Sequence, residues 1–126
     1  MSTRKRILII EDTYQLREME ARLLREDGHE VLEAANGTEG LAILRKITPD
    51  LIVLDAMLPG KTGFDICREL KNDPLYARIP ILITTSITEG TGQDDEVWRD
   101  RTGADDFMSK PFSTESFLAR TRRLLE

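Results

Sequence analysis

The chain has one cysteine and one histidine in 126 residues, no apolar run approaching the ~20 residues that cross a bilayer, and no surplus of positive charge. Each shortage excludes something. Cys67, being alone, cannot form an internal disulfide, and its position between Phe64 and Leu70 at helical spacing reads as a small buried hydrophobe. The first residues lack a charged start followed by a long apolar stretch, so a secretory leader is not expected and a reducing cytoplasm is. Eighteen Lys and Arg against 23 Asp and Glu give a formal charge of -5, which disfavours direct nucleic-acid binding because phosphate backbones are gripped by clustered cations. The local exception, Arg120, Arg122 and Arg123, lies near the end of the last expected helix, where cations meet the negative end of the helix dipole. Internal repeats, low-complexity tracts and linkers are absent, as is any G-x-x-x-x-G-K-[ST] phosphate loop. His29 follows Gly28 in a turn far from the acids and is expected at the surface without a role.

What remains is ordinary globular composition, 40% hydrophobic and 33% charged, in a length that suits one domain with its own core. Short aliphatic runs alternate with amphipathic stretches. Arg6 to Ile10 reads as a buried parallel strand, and Leu16, Met19, Leu23 and Leu24 mark a helix from Thr13 to Asp27, stopped by Gly28. Val31 to Ala34 is a second strand; Asn36-Gly37 turns into a helix with Leu41, Leu44 and Ile47 on one stripe, ending before Pro49. Leu51 to Asp55 is a third strand, followed by a helix carrying Phe64, Cys67 and Leu70. Ile79 to Thr84 is a fourth strand with Pro80 tolerated at its start, and residues around Glu96 to Arg101, including Trp98, suggest a fourth helix. Asp105 to Ser109 is a fifth strand, and Ser113 caps a final helix that turns Phe117, Thr121 and Leu124 inward. Five βα units imply an α/β fold, an open parallel sheet with helices on both faces.

In such sheets ligands bind beyond the carboxyl ends of the strands. Those ends carry Glu11-Asp12, Asp55, Thr84-Thr85 and Ser109-Lys110. Any one of the acids alone reads as readily as a solvated loop residue. Three carboxylates converging on one crevice repel one another unless a cation sits among them, and a hard divalent ion such as magnesium suits an oxygen-rich place of this kind. Lys110 and Thr85 supply the positive charge and hydroxyl donor that a transferred phosphoryl group requires, and Asp55 is then a nucleophile able to form an aspartyl phosphate.

At these residues the chain resembles the receiver domains of two-component response regulators, from Lys5 to Leu125. The motifs stand as Ile9-Ile10-Glu11-Asp12, Leu54-Asp55-Ala56-Met57-Leu58-Pro59-Gly60 with Gly63, Pro80 to Ser86, and Gly103 to Phe112. The resemblance implies one receiver domain over residues 1–126 with a flavodoxin-like strand order 2-1-3-4-5, an order for which the chemotaxis member of the family is a standard example. It implies that Asp55 accepts a phosphoryl group from a phosphohistidine. Asp12 and Asp55 would ligate Mg2+ directly, Glu11 through water, and Met57 by its backbone carbonyl. Thr85 would close on one phosphoryl oxygen and Lys110 on another, while Phe107 rotates inward as the switch. The Lys110-Pro111 bond would be cis. The implied partners are a sensor histidine kinase or phosphotransfer protein and a downstream effector protein or output domain, with no direct nucleic acid and no membrane. The chain would be a signalling phosphoacceptor, not an enzyme, limited to self-phosphorylation from small donors and self-dephosphorylation.

Other readings stand beside these. Phe107 by itself reads first as a core aromatic, and only the family resemblance favours the switch; Thr84 competes with Thr85, although neighbours on a strand face opposite sides. A receiver-like module that binds partners without phosphorylation remains an alternative. An aspartyl phosphatase would ordinarily place a second acid where Met57 stands, and a flavodoxin-like cofactor protein needs a phosphate cradle where Glu11-Asp12 would repel it. Met57 and Ile87 are apolar beside the site, so slow self-dephosphorylation is expected.

Overall fold

The computed structural model describes residues 4–86 and 102–126. In chain order its elements are β1 (Arg6–Ile10), α1 (Tyr14–Glu26), β2 (Glu30–Ala34), α2 (Gly37–Leu44), β3 (Leu51–Asp55), α3 (Gly63–Lys71), β4 (Ile81–Thr85), β5 (Asp106–Ser109) and α4 (Thr114–Leu124). The five strands are parallel in the order β2-β1-β3-β4-β5. The expected α/β architecture and strand order are both present.

Alternation along the strands divides the core in two. Leu8, Ile10, Ile52, Leu54, Ile81, Ile83 and Phe107 face α2 and α3, where they meet Leu44, Phe64, Ile66, Cys67 and Leu70. On the opposite face Ile7, Ile9, Leu51, Val53, Leu82 and Met108 meet Ala21 and Leu24 of α1 and Phe117 of α4. Burial on both faces is why β1, β3 and β4 read as continuous aliphatic runs. Three helices begin at side-chain caps: Asn36 accepts from the Glu39 amide, Thr62 from Asp65 and Ser113 from Ser116. Among the described residues no helix is long and apolar enough to cross a membrane.

Several boundaries differ from the sequence expectation. β4 begins at Ile81, not Ile79, and extends through Thr85. Pro80 offers only its carbonyl, which accepts from the Ile52 amide at 3.0 Å, while Thr85 still pairs with Ser109. β5 begins at Asp106 because Asp105 serves β4 by its side chain: Oδ2 accepts from the Ile81 amide and from Lys71 Nζ, both at 2.8 Å. α2 ends at Leu44, so Ile47 falls beyond it. His29 is half-buried and not at the surface, with Nδ1 accepting from the Lys5 amide at 3.2 Å. The terminal arginines do more than meet a helix dipole, since Arg120 bonds Asp106 and the Phe107 carbonyl, and Arg122 pairs with Asp27. The helix expected around Glu96 to Arg101, with Trp98, and the residue Ile87 lie outside the described residues.

Candidate functional site

Parallel strands end together, so whatever follows β1, β3, β4 and β5 shares one edge of the sheet. The row Ile10, Leu54 and Ile83 is the last fully apolar one. One residue further lie Glu11, Asp55 and Thr84, and the chain turns from apolar to ionisable within a single step. Carboxylate oxygens of Glu11, Asp12 and Asp55 all lie within 4.8 Å of one another. Glu11 is 1% and Asp55 4% exposed, whereas Asp12 is open to solvent.

Lys110 closes the group from β5. Its Nζ donates to Glu11 Oε1 and to Asp55 Oδ1, each at 3.0 Å. Burial works against this ammonium, but its hydrogen bonds and the charges of both acids outweigh that and hold its pKa above the ordinary lysine value. For Glu11 the balance falls the other way: burial and the Asp55 charge raise its pKa despite the bonds from Lys110 and the Thr13 amide. One cation thus faces three acids. The deficit favours a further positive charge, and an all-oxygen donor set matches magnesium better than a softer ion.

The backbone also holds Asp55 in place. The Met57 amide donates to Asp55 Oδ1 at 3.3 Å, and the Gly63 amide closes the intervening loop on the Ala56 carbonyl at 2.9 Å. α3 starts so close to the end of β3 that a Cβ at Gly63 would overlap the Asp55 carbonyl, which requires glycine there. The Met57 side chain is 52% exposed at the rim. Thr85 is fully buried at the end of β4, and its carbonyl accepts from the Lys110 amide at 2.8 Å. Phe107 is buried beneath it, its ring centroid 6.3 Å from that of Phe64. The Lys110-Pro111 bond is cis.

The fold therefore brings Glu11, Asp12, Asp55 and Lys110 into one cluster, with Thr85 and Phe107 on the adjoining strands. A family model for the response regulator receiver domain matches residues 7–122. This chain belongs to that family. The receiver domain is 41% identical over 121 residues to the phosphate regulon transcriptional regulatory protein PhoB of Pseudomonas aeruginosa, covering 96% of this chain and 52% of that protein. It is 37% identical to Protein PilH of the same organism, over 95% of this chain and 97% of PilH. Among solved structures, a putative response regulator from Chloroflexus aurantiacus superposes with a TM-score of 0.88 at 31% identity, each chain 98% covered. Chemotaxis response regulator CheY4 of Vibrio cholerae gives 0.87 at 31% identity, covering 98% of this chain and all of that one. The receiver domain spans about half the length of the first curated relatives it matches.

The sequence reading gives no role to Glu20 and raises Thr84 only as a competitor of Thr85, yet both lie buried near the receiver domain's acidic end. Glu20 on α1 is 1% exposed and Thr84 on β4 is 1% exposed. Neither Glu20 oxygen nor Thr84 Oγ1 has a hydrogen-bond partner among the described residues. Burial, with Glu11 and Asp55 adding to it, pushes the Glu20 pKa up to about 8. The sequence signal was available: Glu20 stands one helical turn from both Leu16 and Leu24, inside the apolar stripe.

Proposed function

We propose that this receiver domain is a phosphoacceptor switch, taking a phosphoryl group from a phosphohistidine of a sensor kinase or phosphotransfer protein onto Asp55. The observation that supports this most is the pairing of a buried Asp55 with Lys110 inside a cluster of three carboxylates. Among the described hydrogen bonds, those to Asp55 fall on Oδ1, which leaves Oδ2 to attack phosphorus. The P–N bond breaks as the P–O bond forms, and its electron pair returns to the imidazole of the donor. Glu11, Asp12 and Asp55, with the Met57 carbonyl, would hold Mg2+, whose contribution is to offset negative charge on the carboxylates and the phosphoryl oxygens.

Lys110 has a second task after transfer. The phosphoryl group brings about -1.5 to -2 charges and three strong acceptors, so the ammonium gains a better partner than Glu11. Thr85 would turn its hydroxyl to another phosphoryl oxygen, and the space it leaves would be filled by Phe107. Shifting a two-state element from 1:99 to 99:1 takes ~5.5 kcal/mol, and two charge-assisted hydrogen bonds of ~1.5 to 3 kcal/mol each approach it. An effector protein or output domain would read the altered surface. The whole of residues 1–126 would act as this one domain, working in the cytoplasm.

Intact-mass measurement after incubation with acetyl phosphate and magnesium tests the reading. Wild type should gain one phosphoryl mass and Asp55→Asn none. An unlabelled wild type would instead favour a module that binds its partners without phosphorylation.

A further inference from the structure

Glu20 is the charged residue in the described core that the transfer chemistry does not use. Its neighbours on α1, Ala21 and Leu24, pack into the core shared with α4, so Glu20 faces the same side of the sheet. It lies one turn closer than Leu24 to the start of α1, and therefore to the acidic edge. Thr84 is the strand partner of Asp55, and alternation turns its side chain to that side along with Leu82. Three buried oxygens without partners thus lie on the α1 side of the sheet, two on Glu20 and one on Thr84. Buried polar groups are ordinarily satisfied, and an apolar side chain at position 20 would suit packing better.

The charges acting on Glu20 are Glu11 after β1, Lys110 after β5 and Asp55 at the end of β3. β4 presents Thr84, and α4 presents Phe117 and Thr121, none of which ionises in the physiological range. Glu20 has no hydrogen bond to the acids or to Lys110, so it senses the cluster through its field and not as one of its ligands. Burial and surplus negative charge both favour the neutral form. A divalent cation among Glu11, Asp12 and Asp55 reverses the sign of that field, and an added phosphoryl group partly restores it.

We propose that Glu20 is a proton-holding group coupled to the acceptor site: protonated without a divalent cation, it releases its proton to solvent when the cation binds and regains it when Asp55 is phosphorylated. This rests on reading the acidic cluster as a magnesium site.

Calorimetric titration with magnesium at pH 7, in two buffers of different ionisation enthalpy, counts protons released per bound ion. Wild type should release measurably more protons per bound ion than Glu20→Gln or Glu20→Met. Infrared spectra of wild type should show a protonated-carboxyl band that disappears on adding magnesium and returns with magnesium plus beryllium fluoride. Magnesium binding with equal proton counts in all three proteins, or a band indifferent to the ion, overturns the role of Glu20. Should wild type show no magnesium binding at all, the reading of the cluster fails first and this proposal with it. The Glu11 pKa is raised as well, so the band counts for Glu20 only where it is missing from Glu20→Gln or Glu20→Met, and having two variants keeps the test intact should one not fold.

Discussion

Replacing Glu20 by glutamine keeps the shape of a buried side chain and removes its ability to ionise, so the consequence for stability depends on pH. The folded carboxyl titrates at about 8 against an ordinary 4.5. Between those values the folded state holds a proton that the unfolded chain has released, so stability falls as pH rises through the window and levels off above it. At ~1.36 kcal/mol per pKa unit, the loss at pH 7 is on the order of 3 kcal/mol, and at pH 8 or above it approaches roughly 4 to 5 kcal/mol. That is a large share of the 5 to 15 kcal/mol typical of a domain. Urea denaturation of wild type and Glu20→Gln at pH 5 and pH 8, both free of divalent cations, reads it directly. The variant should be close to wild type at pH 5 and clearly more stable at pH 8. Parallel stability curves for the two proteins would refute the idea that a buried Glu20 stays protonated.

Lys110→Ala leaves Glu11 and Asp55 buried without their cation, which should cost about 3 kcal/mol at neutral pH. Millimolar magnesium should recover much of that loss, and a deficit unaffected by the ion would contradict the charge balance argued for the site. Gly63→Ala forces a Cβ into the Asp55 carbonyl and should destabilise by ~2 kcal/mol or more while lowering phosphorylation from acetyl phosphate. Normal stability and labelling in that variant would show that the loop yields easily. Met57→Asn places a polar group at the exposed rim, and loss of the phosphoryl label should accelerate a few-fold. A label that decays no faster than in wild type would remove Met57 from the account of phosphoryl lifetime.

The parts of the fold legible in the sequence are those where one physical signal dominates. β1 and β3 are covered on both faces, so they appear as unbroken aliphatic runs, and both bounds match the structure. The limits of β4 and β5 were less legible because they depend on tertiary bonds, whereas α2 ends in local turns where the Lys46 and Ile47 amides both donate to the Ile43 carbonyl. Asp105 ties its side chain to Ile81, and the strand pairing of Thr85 with Ser109 needs both strands in place. The cluster of Glu11, Asp12, Asp55 and Lys110 could be anticipated because strand ends are sequence landmarks and parallel topology gathers them. Glu20 was hidden by its type: an acid within an apolar stripe reads as a solvated face until burial is known. His29 was hidden similarly, since nothing local announces that its ring accepts a backbone amide 24 residues away.

Borohydride reduces an acyl phosphate to the corresponding alcohol, converting a phosphorylated aspartate to homoserine. Treating the protein after acetyl phosphate and magnesium, then mapping peptides by mass spectrometry, locates the acceptor carboxylate. The account predicts homoserine at position 55 alone, absent when magnesium is chelated. Reduction products at Glu11 or Asp12 with none at Asp55, or no reduced residue at all, would contradict it.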